Sequence, residues 1–504
     1  MKKYIYYISL IIIAAGFSAC SLDEEIYSNQ NVDDFYKSED EIELALNGAY
    51  SLFWDGYIYK NGAYVQLGDW PTDLMTTTPN KNTWDLFAWT VSENYFDQLW
   101  DASYNMINRC NEVIERIGNS DVTDAVKNNA IGQAKFLRGL CYFNLVKDFG
   151  GVPLHITATK GLSDVNKARN TTDEVYTQII ADLKDAYTLL SPFDATKHSA
   201  GYATNGAAKA LLAKVYLQQR DWANAAATAK EVIDMGTYDL YKDYSQIWDP
   251  AYKNGSEQIF SIQHNNGGDN TTNYGEHMTF FLCPKGYSLP NGTGIIFTLD
   301  DGIAGNWQVD DDFFNSTPDT YRKWWSIRDH MPRYLITGAS PIKWIEDTVK
   351  LQRANIVKYY QPDYSTGYLQ TGVNFTVLRY SDMLLTYAEA LNESNNGPTA
   401  EAYDAINKVR QRARAVGTVY EQPESVYPDL AGLTKEAFRK AILDERASEF
   451  IGEGERRNDL NRHDLFISTA ESQGVTGIKP GYVLYPIPQN EINLNPLLEQ
   501  NPDY

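Results

Sequence analysis

The strongest constraint on the fold is a pair of helical segments joined by a short turn, between residues 206 and 233. Residues 206–217 form a run rich in alanine, leucine and lysine, and Arg220-Asp221-Trp222 provides the turn. The return segment places small or aliphatic side chains on one face, at Ala225, Ala226, Ala229, Val232 and Ile233. Small residues at the contact let two helices approach closely, as in tetratricopeptide-type repeats. The pattern therefore predicts an antiparallel helix pair that stacks against further pairs.

A second helix pair is predicted far downstream. Residues 382–392 form its first helix, Asn395-Asn396-Gly397 turns the chain, and residues 400–413 return. Apolar residues spaced by three and four predict three further helices, within residues 95–117, 130–145 and 173–190. No strict repeat period connects these helices, so large insertions are expected between them.

Two segments lack a helical period and are rich in glycine, asparagine, proline and aromatic residues, at about residues 50–95 and 259–375. We predict loops and short strands there, carried on a helical scaffold that lies mainly in residues 96–250 and 376–465. Loops held by a rigid scaffold are where ligand binding usually resides. A chain of 504 residues is too long for one ordinary core. The alternatives are several domains or one extended architecture built from repeated units.

The N-terminus has the pattern of an export signal. Lys2-Lys3 precede an apolar run over residues 4–17, which is followed by Ser18-Ala19 and Cys20. The run is shorter than the roughly 20 residues of a membrane-spanning helix. A cysteine directly after small residues resembles the lipobox of bacterial lipoproteins, which predicts removal of residues 1–19 and lipidation of Cys20. The alternative is an ordinary secretory signal with a chance cysteine. The acidic residues 23–25 resemble a surface-export tag of Gram-negative lipoproteins.

Composition excludes some classes of partner. The formal net charge is −22, so the chain is repelled by nucleic acid and by anionic lipid headgroups. Beyond Cys20 an odd number of cysteines remains, which argues against a disulfide framework, and Cys110 and Cys141 lie in apolar stripes that predict burial. Aromatic residues make up 13% of the chain. Tyrosine and tryptophan faces suit the apolar faces and hydroxyl rims of sugars.

Four stretches, in order along the chain, resemble the SusD/RagB family of outer-membrane nutrient-binding lipoproteins. They are RGLCYFNL with FGGVPL at residues 138–154, YSDMLLTYAEA with INKVRQRA at 380–413, ERASEF with GEGER and DLNR at 445–462, and LYPIP with NPDY at 484–504. The resemblance extends over almost the whole chain after Cys20, and it implies a single domain over residues 20–504. It implies a mainly α, SusD-like fold, in which tetratricopeptide-like helix pairs form one face and loops with small sheets form the other.

The resemblance also implies a function. Members of the family bind oligosaccharides, and sometimes peptides, as a hinged lid on a SusC-like TonB-dependent transporter. They are lipid-anchored on the outer surface of the outer membrane, are not enzymes and need no cofactor. Two alternatives stay open: a peptide- or glycopeptide-binding lid of the same fold, and a glycoside hydrolase.

Charged residues between 445 and 462 invite an active-site interpretation, because paired carboxylates serve as acid and base. Acid and arginine alternate there at three- and four-residue spacing, however, which favours a structural ion-pair network. Asp310-Asp311-Asp312 offers oxygens suited to calcium. A solvated acidic loop is the interpretation we favour for this run.

Candidate ligand-binding residues are aromatic and polar side chains in the two loop-rich segments. The resemblance implies that the ligand site is built there, but the family has no fixed motif at these positions. Trp84 and Trp307 are the leading candidates, because each lies among small or polar residues outside any helical stripe. The remaining candidates are Tyr274, Tyr287, Trp324, Asp73, Asn82 and Asn291. Rings would stack on sugar faces, and amides and carboxylates would bind hydroxyls.

Overall fold

A computed structural model describes most of the chain after the N-terminal leader. The described residues are 35–55, 58–59, 62–77, 82–193, 201–264, 288–290, 296–298, 307–337, 343–359 and 372–504.

Helices dominate the described residues. The α-helices are α1 Glu39–Tyr50, α2 Leu52–Asp55, α3 Ala63–Asp69, α4 Asn94–Arg116, α5 Asp124–Phe149, α6 Thr172–Leu189, α7 Asn205–Gln218, α8 Trp222–Asp234, α9 Asp311–Ser316, α10 Tyr321–Ser326, α11 Tyr380–Ser394, α12 Ala400–Ala413, α13 Lys435–Phe450, α14 Arg456–Arg462, α15 Phe466–Ser472 and α16 Gln489–Leu494. The strands are β1 Met75–Thr77, β2 Gln258–Ile262, β3 Ser288–Pro290, β4 Ile296–Thr298, β5 Trp307–Val309, β6 Ile327–Thr337, β7 Lys343–Ile356 and β8 Phe375–Arg379.

Short polar side chains set the starts of the scaffold helices. At each of seven helices the N-cap side chain accepts the backbone N–H of the residue three positions on, at Ser38, Thr123, Thr171, Thr204, Asp221, Thr399 and Thr434. At Ser38 and Thr171 a glutamate three residues on bonds back to the cap, which completes a capping box. These caps satisfy N–H groups that lack a partner within the helix.

The predicted helix pairs stack in one continuous array. Helix α5 packs between α4 and α6, and α7 packs against both α6 and α8. Helix α8 then packs against α11, the first helix of the distant second pair, which in turn contacts α12 and α13. The two predicted pairs are therefore neighbours in space, although more than a hundred residues separate them in the chain. Both predicted pairs are confirmed.

Helices in the middle of the array are buried on nearly every side. In α7 every residue over 206–217 is buried except Lys209, and in α5 every residue from Phe136 to Phe149 is buried. Polar side chains inside α5 have partners: the Arg138 guanidinium donates to the Asp182 carboxylate at 2.7 and 2.8 Å. Cys110 and Cys141 are buried and free, as their apolar stripes predict.

Small antiparallel sheets lie in the loop-rich segments. The prediction of loops and short strands alone is wrong, however, because the short helices α2, α3, α9 and α10 also lie there, and each is too short to show a helical period in the sequence. Strand β2 pairs with β8, so the long insertion leaves and rejoins the scaffold at one place. Strand β1, in the first loop-rich segment, pairs with β5 in the second, through Met75 with Val309 and Thr77 with Trp307. The two segments that sequence analysis marked as loop-rich therefore meet, and any site built from both lies beside this pairing.

Candidate functional site

Three tryptophans lie at the junction of the two loop-rich segments. The rings of Trp70 and Trp307 stack with centroids 3.5 Å apart and planes inclined by 15°. The Trp84 ring contacts Trp70 edge-on and lies against Trp89, Tyr95, Phe96 and Tyr485. Only 4% of Trp84 and 5% of Trp307 is exposed.

The structure corrects the expectation that Trp84 and Trp307 offer open faces to a ligand. Both are buried core residues of the junction: rings from four separate parts of the chain surround Trp84, and the Trp70 ring stacks on Trp307. Burial of one aromatic side chain removes about 150–250 Å² from water. Exposing either ring would forfeit that burial, so these two tryptophans hold the loops together rather than bind a sugar by stacking.

Asp73 and Asn82 also serve the structure. Both carboxylate oxygens of Asp73 accept from the Arg456 guanidinium, at 2.7 and 2.6 Å, which ties the first loop-rich segment to α14. The Asn82 side-chain oxygen accepts the backbone N–H of Trp84 at 2.8 Å, which stabilises the turn that leads into Trp84. Tyr274, Tyr287 and Asn291 lie outside the described residues.

Trp324 is the predicted site residue that the structure exposes. It lies on the short helix α10, and half of its side chain is accessible to solvent. The Arg328 guanidinium lies over its ring, 4.1 Å from the centroid, and Arg328 also donates to the Trp324 carbonyl at 2.5 Å. A cation over one face holds the indole in place, and the exposed part of the ring is open for stacking.

A second exposed ring lies beside the same helix. Tyr420, in the loop after α12, is 55% exposed, and its ring stacks on Tyr321 of α10 with centroids 5.1 Å apart and planes inclined by 13°. The Tyr321 N–H donates to the Gln422 side chain at 2.7 Å, and its hydroxyl donates to Asp243 at 2.8 Å. We call Tyr321, Trp324, Trp325 and Tyr420 the aromatic shelf.

The aromatic shelf combines the groups that bind sugars. Flat rings with exposed faces contact the apolar faces of pyranose rings, and the tyrosine hydroxyls give polar handles at the edges. Pre-arranged rings on a helix lose little conformational entropy on binding.

Comparison with known proteins gives the family. Residues 346–504 match the family model described as SusD family, and residues 21–217 match the model described as "Starch-binding associating with outer membrane". The two matches together take in more than half of the chain. The chain belongs to the SusD family.

Individual relatives extend over nearly the full length. SusD-like protein P25 of Formosa agariphila is 25% identical over 99% of this chain and 98% of its own. The starch-binding protein SusD of Bacteroides thetaiotaomicron is 25% identical over 76% of this chain and 74% of its own. The crystal structure of a SusD homologue from Bacteroides thetaiotaomicron superposes with a TM-score of 0.74 and 26% identity, over 94% of this chain and 98% of that one. The fold is thus the mainly α, SusD-like fold.

The charged residues between 445 and 462 form a buried ion-pair network in this SusD-family chain, as their spacing predicts. Glu449 is fully buried, and its carboxylate accepts from Arg379 at 2.8 Å, Arg412 at 2.5 Å and Arg322 at 3.0 Å. The other members of the predicted set are less than a tenth exposed, and each is paired with opposite charge: Glu445, Arg446, Glu453, Arg456, Asp459 and Arg462. Carboxylates held in this way have no access to a substrate.

The network makes stability depend on acidity. Burial alone would raise the pKa of Glu389, but the Arg462 guanidinium and His463 more than offset it, and the pKa lies well below its ordinary value. A carboxyl group whose pKa is lowered in the folded state stabilises the fold at pH values above its unfolded-state pKa of about 4.3. That stabilisation is lost as the pH falls. We expect Glu389→Gln to destabilise the protein at pH 7. The difference in free energy of unfolding between wild type and Glu389→Gln should shrink by about 1.4 kcal/mol per pH unit below about pH 4.3.

Chemical denaturation at pH 7, 4 and 3 measures this difference. The exposed Glu471, changed to glutamine, is the control and should track wild type throughout. A Glu389→Gln penalty that stays constant from pH 7 to pH 3 would contradict the assignment.

The acidic run Asp310-Asp311-Asp312 has a local structural use. The Asp310 carboxylate caps α9 by accepting the N–H groups of Asp312 at 2.9 Å and Phe313 at 3.3 Å, and Asp311 pairs with Arg353 at 3.2 Å. In the part of the chain that the structure describes, no three acidic, histidine or cysteine side chains are arranged to hold a metal ion. The described part of the chain also contains no helix that is long and apolar enough to cross a membrane.

Sequence analysis missed Tyr321, Tyr420 and Arg328. Tyr420 lies about a hundred residues from Trp324, in a loop after a scaffold helix that was not counted among the binding segments. No local sequence pattern marks Tyr420 as an exposed ring. The structure shows it beside Val419, which is almost fully exposed.

Proposed function

We propose that this SusD-family protein binds oligosaccharide or polysaccharide on the aromatic shelf and passes it, without cleaving it, to a SusC-like TonB-dependent transporter. The carrying observation is a pair of exposed rings: Trp324 on α10, and Tyr420, which stacks on Tyr321 of the same helix. The name of the starch-binding relative supports a glycan as the ligand class.

The absence of catalysis is part of the proposal. A glycoside hydrolase needs two carboxyl groups facing the scissile bond. The carboxylates between 445 and 459 are instead buried among arginines, and Asp73 is paired with Arg456. The carboxylate that contacts a ring of the aromatic shelf, Asp243, accepts the Tyr321 hydroxyl at 2.8 Å, so it positions a ring of the shelf.

Surface attachment is the remaining part of the proposal. Lipidation at Cys20 would hold the protein on the outer surface of the outer membrane, next to the transporter. The family model that matches residues 21–217 is described as associating with the outer membrane, which supports this location. A stable lipid anchor requires more than one acyl chain, and a bacterial lipoprotein cysteine carries several.

The shelf is tested by Trp324→Ala and Tyr420→Ala. Each stacked ring is worth about 0.5–1.5 kcal/mol beyond its buried area, so each change should weaken glycan binding by about tenfold. The double variant should lose micromolar binding. The ligand is found first by screening the purified protein against starch, laminarin, other polysaccharides and a peptide set. Affinities are then measured by isothermal titration calorimetry.

Tyr252→Ala is the matched control, because Tyr252 is 44% exposed but does not belong to the shelf. It should bind like wild type. Equal affinity of the double shelf variant and wild type would refute the shelf as the site. Binding of peptides but no glycan would establish the peptide-binding alternative, and release of sugars from a polysaccharide would establish a hydrolase.

A further inference from the structure

The loop that carries Tyr420 is held in one conformation by its own hydrogen bonds. We call residues 415–421 the shelf loop. Its two ends meet where the Gln422 N–H donates to the Arg414 carbonyl at 2.9 Å. Within it, the Thr418 hydroxyl accepts the Tyr420 N–H at 3.1 Å. A loop that is ordered before binding loses little conformational entropy when a ligand arrives.

The shelf helix α10 is fixed to the scaffold by contacts that do not involve the shelf loop. Its Arg322 guanidinium donates to the buried carboxylates of Glu445 at 2.5 Å and Glu449 at 3.0 Å. At its N-terminus the Thr320 hydroxyl accepts the Lys323 N–H at 3.2 Å. Helix α10 should therefore keep its place, together with its exposed tryptophan, when a contact with the shelf loop is removed.

Gln422 connects the shelf loop to α10. Its side-chain oxygen accepts the Tyr321 N–H at 2.7 Å, and its side-chain nitrogen donates to the Asp319 carbonyl at 3.2 Å. Tyr321 is the first residue of α10, so its N–H has no partner within the helix. The Tyr420 ring, two residues before Gln422, stacks on the ring of the same Tyr321. Gln422 thus ties the loop to the residue on which the exposed ring rests.

The ring stack by itself does not fix the position of Tyr420. Aromatic pairs are stable over centroid distances of about 4.5–7 Å, in offset-stacked or edge-on arrangements. Hydrogen bonds have narrower limits of distance and angle, so the two bonds of Gln422 remove much of this freedom. Binding groups need to be held to within about 0.5 Å of their productive geometry.

We propose that Gln422 is a positioning residue of the glycan site: it holds the Tyr420 ring at a fixed place relative to Trp324. This inference rests on the proposed function of the aromatic shelf, and Gln422 acts through Tyr420. Replacing Gln422 with alanine leaves the Tyr420 ring present but displaced. The contribution of Tyr420 to glycan affinity is then lost, and that of Trp324 is kept.

A double-mutant cycle on glycan affinity, measured by isothermal titration calorimetry, tests this role. Gln422→Ala should weaken binding about as much as Tyr420→Ala, by about tenfold. The double variant Gln422→Ala with Tyr420→Ala should bind like Tyr420→Ala alone, because the ring that it removes no longer contributes. Gln422→Ala with Trp324→Ala should instead show the product of the two losses. Gln422→Glu keeps the acceptor for the Tyr321 N–H but loses the donor to Asp319, so its affinity should be intermediate.

Amide hydrogen exchange gives a readout that needs no ligand. Exchange in the shelf loop should be about fivefold faster in Gln422→Ala than in wild type, as expected for the loss of one hydrogen bond. Exchange in helix α13 should be unchanged, and the thermal unfolding midpoint should stay within about 2 °C of wild type. Gln178→Ala is the matched control, because Gln178 is a partly exposed glutamine on helix α6. It should match wild type in affinity, exchange and stability.

Three results would overturn the positioning role: wild-type affinity of Gln422→Ala, losses that multiply when it is combined with Tyr420→Ala, or unchanged exchange in the shelf loop. Failure of the proposed function gives a different pattern. In that case Trp324→Ala and Tyr420→Ala both bind glycan like wild type, whatever Gln422→Ala does.

Discussion

Replacing Glu449 with alanine is expected to lower the free energy of unfolding by about 3–5 kcal/mol, the usual cost of breaking a buried ion pair. The side chain is fully buried and accepts from three arginines, Arg322, Arg379 and Arg412. Its removal leaves three buried guanidinium groups with one partner fewer. Burial alone would raise the pKa of Glu449, but these arginines bring it well below its ordinary value.

The same substitution should disturb the aromatic shelf. Arg322 lies on α10, two residues from Trp324, and its guanidinium donates to Glu445 at 2.5 Å as well as to Glu449. The network thus holds the shelf helix on the scaffold. We expect Glu449→Gln, which keeps the shape but loses the charge, to fall between wild type and alanine in both stability and glycan affinity.

Guanidinium denaturation followed by circular dichroism measures the effect. Glu436→Ala is the matched control, because Glu436 is exposed on the same helix α13. Its unfolding curve should overlie that of wild type. A Glu449→Ala protein within about 0.5 kcal/mol of wild type, the range of ordinary surface changes, would show that the network contributes little.

Replacing Cys20 with alanine is expected to abolish glycan uptake by the producing cell while leaving glycan affinity in solution unchanged. The proposed lipid keeps the protein beside the transporter and raises its effective concentration there, to millimolar for a short flexible tether. The aromatic shelf lies about three hundred residues away in the chain and needs no lipid to fold.

Three measurements on cells and purified protein test this expectation. Wild type should fractionate with the outer membrane and co-purify with a large transporter after detergent extraction, and Cys20→Ala should do neither. Growth on the cognate glycan should fail in the variant. Ser21→Ala, beside the modified position, is the control and should behave as wild type. Normal uptake by Cys20→Ala, or equal loss of uptake and of binding in solution, would contradict the proposed role.

Local sequence signals predicted the scaffold well. The helices at 94–116 and 172–189 begin and end within one residue of the predicted bounds, whereas the helix predicted over 130–145 extends over 124–149. Caps such as Thr171 with Glu174 are readable because both partners lie within one turn of the chain. The ion-pair network was also readable, since acid and arginine alternate at helical spacing.

Predictions for the ligand-binding residues succeeded less well, because exposure is not a local property. Trp84 and Trp324 lie in similar loop-rich sequence, yet one is buried and the other is half exposed. Trp84 is covered by rings that include Tyr485, four hundred residues away. Tyr420 and Tyr321 meet only because α10 packs against α12.

The sequence by itself determined the helical pairs, the positions of the two loop-rich segments, the paired charges and the family. These features depend on spacing within a few turns of helix or on stretches of matching residues. Only the tertiary structure decided that α8 and α11 are neighbours, that Trp70 and Trp307 close the core of the junction, and that Trp324 and Tyr420 remain open. The reason is physical: burial of a ring depends on surfaces brought from distant parts of the chain, which no local pattern encodes.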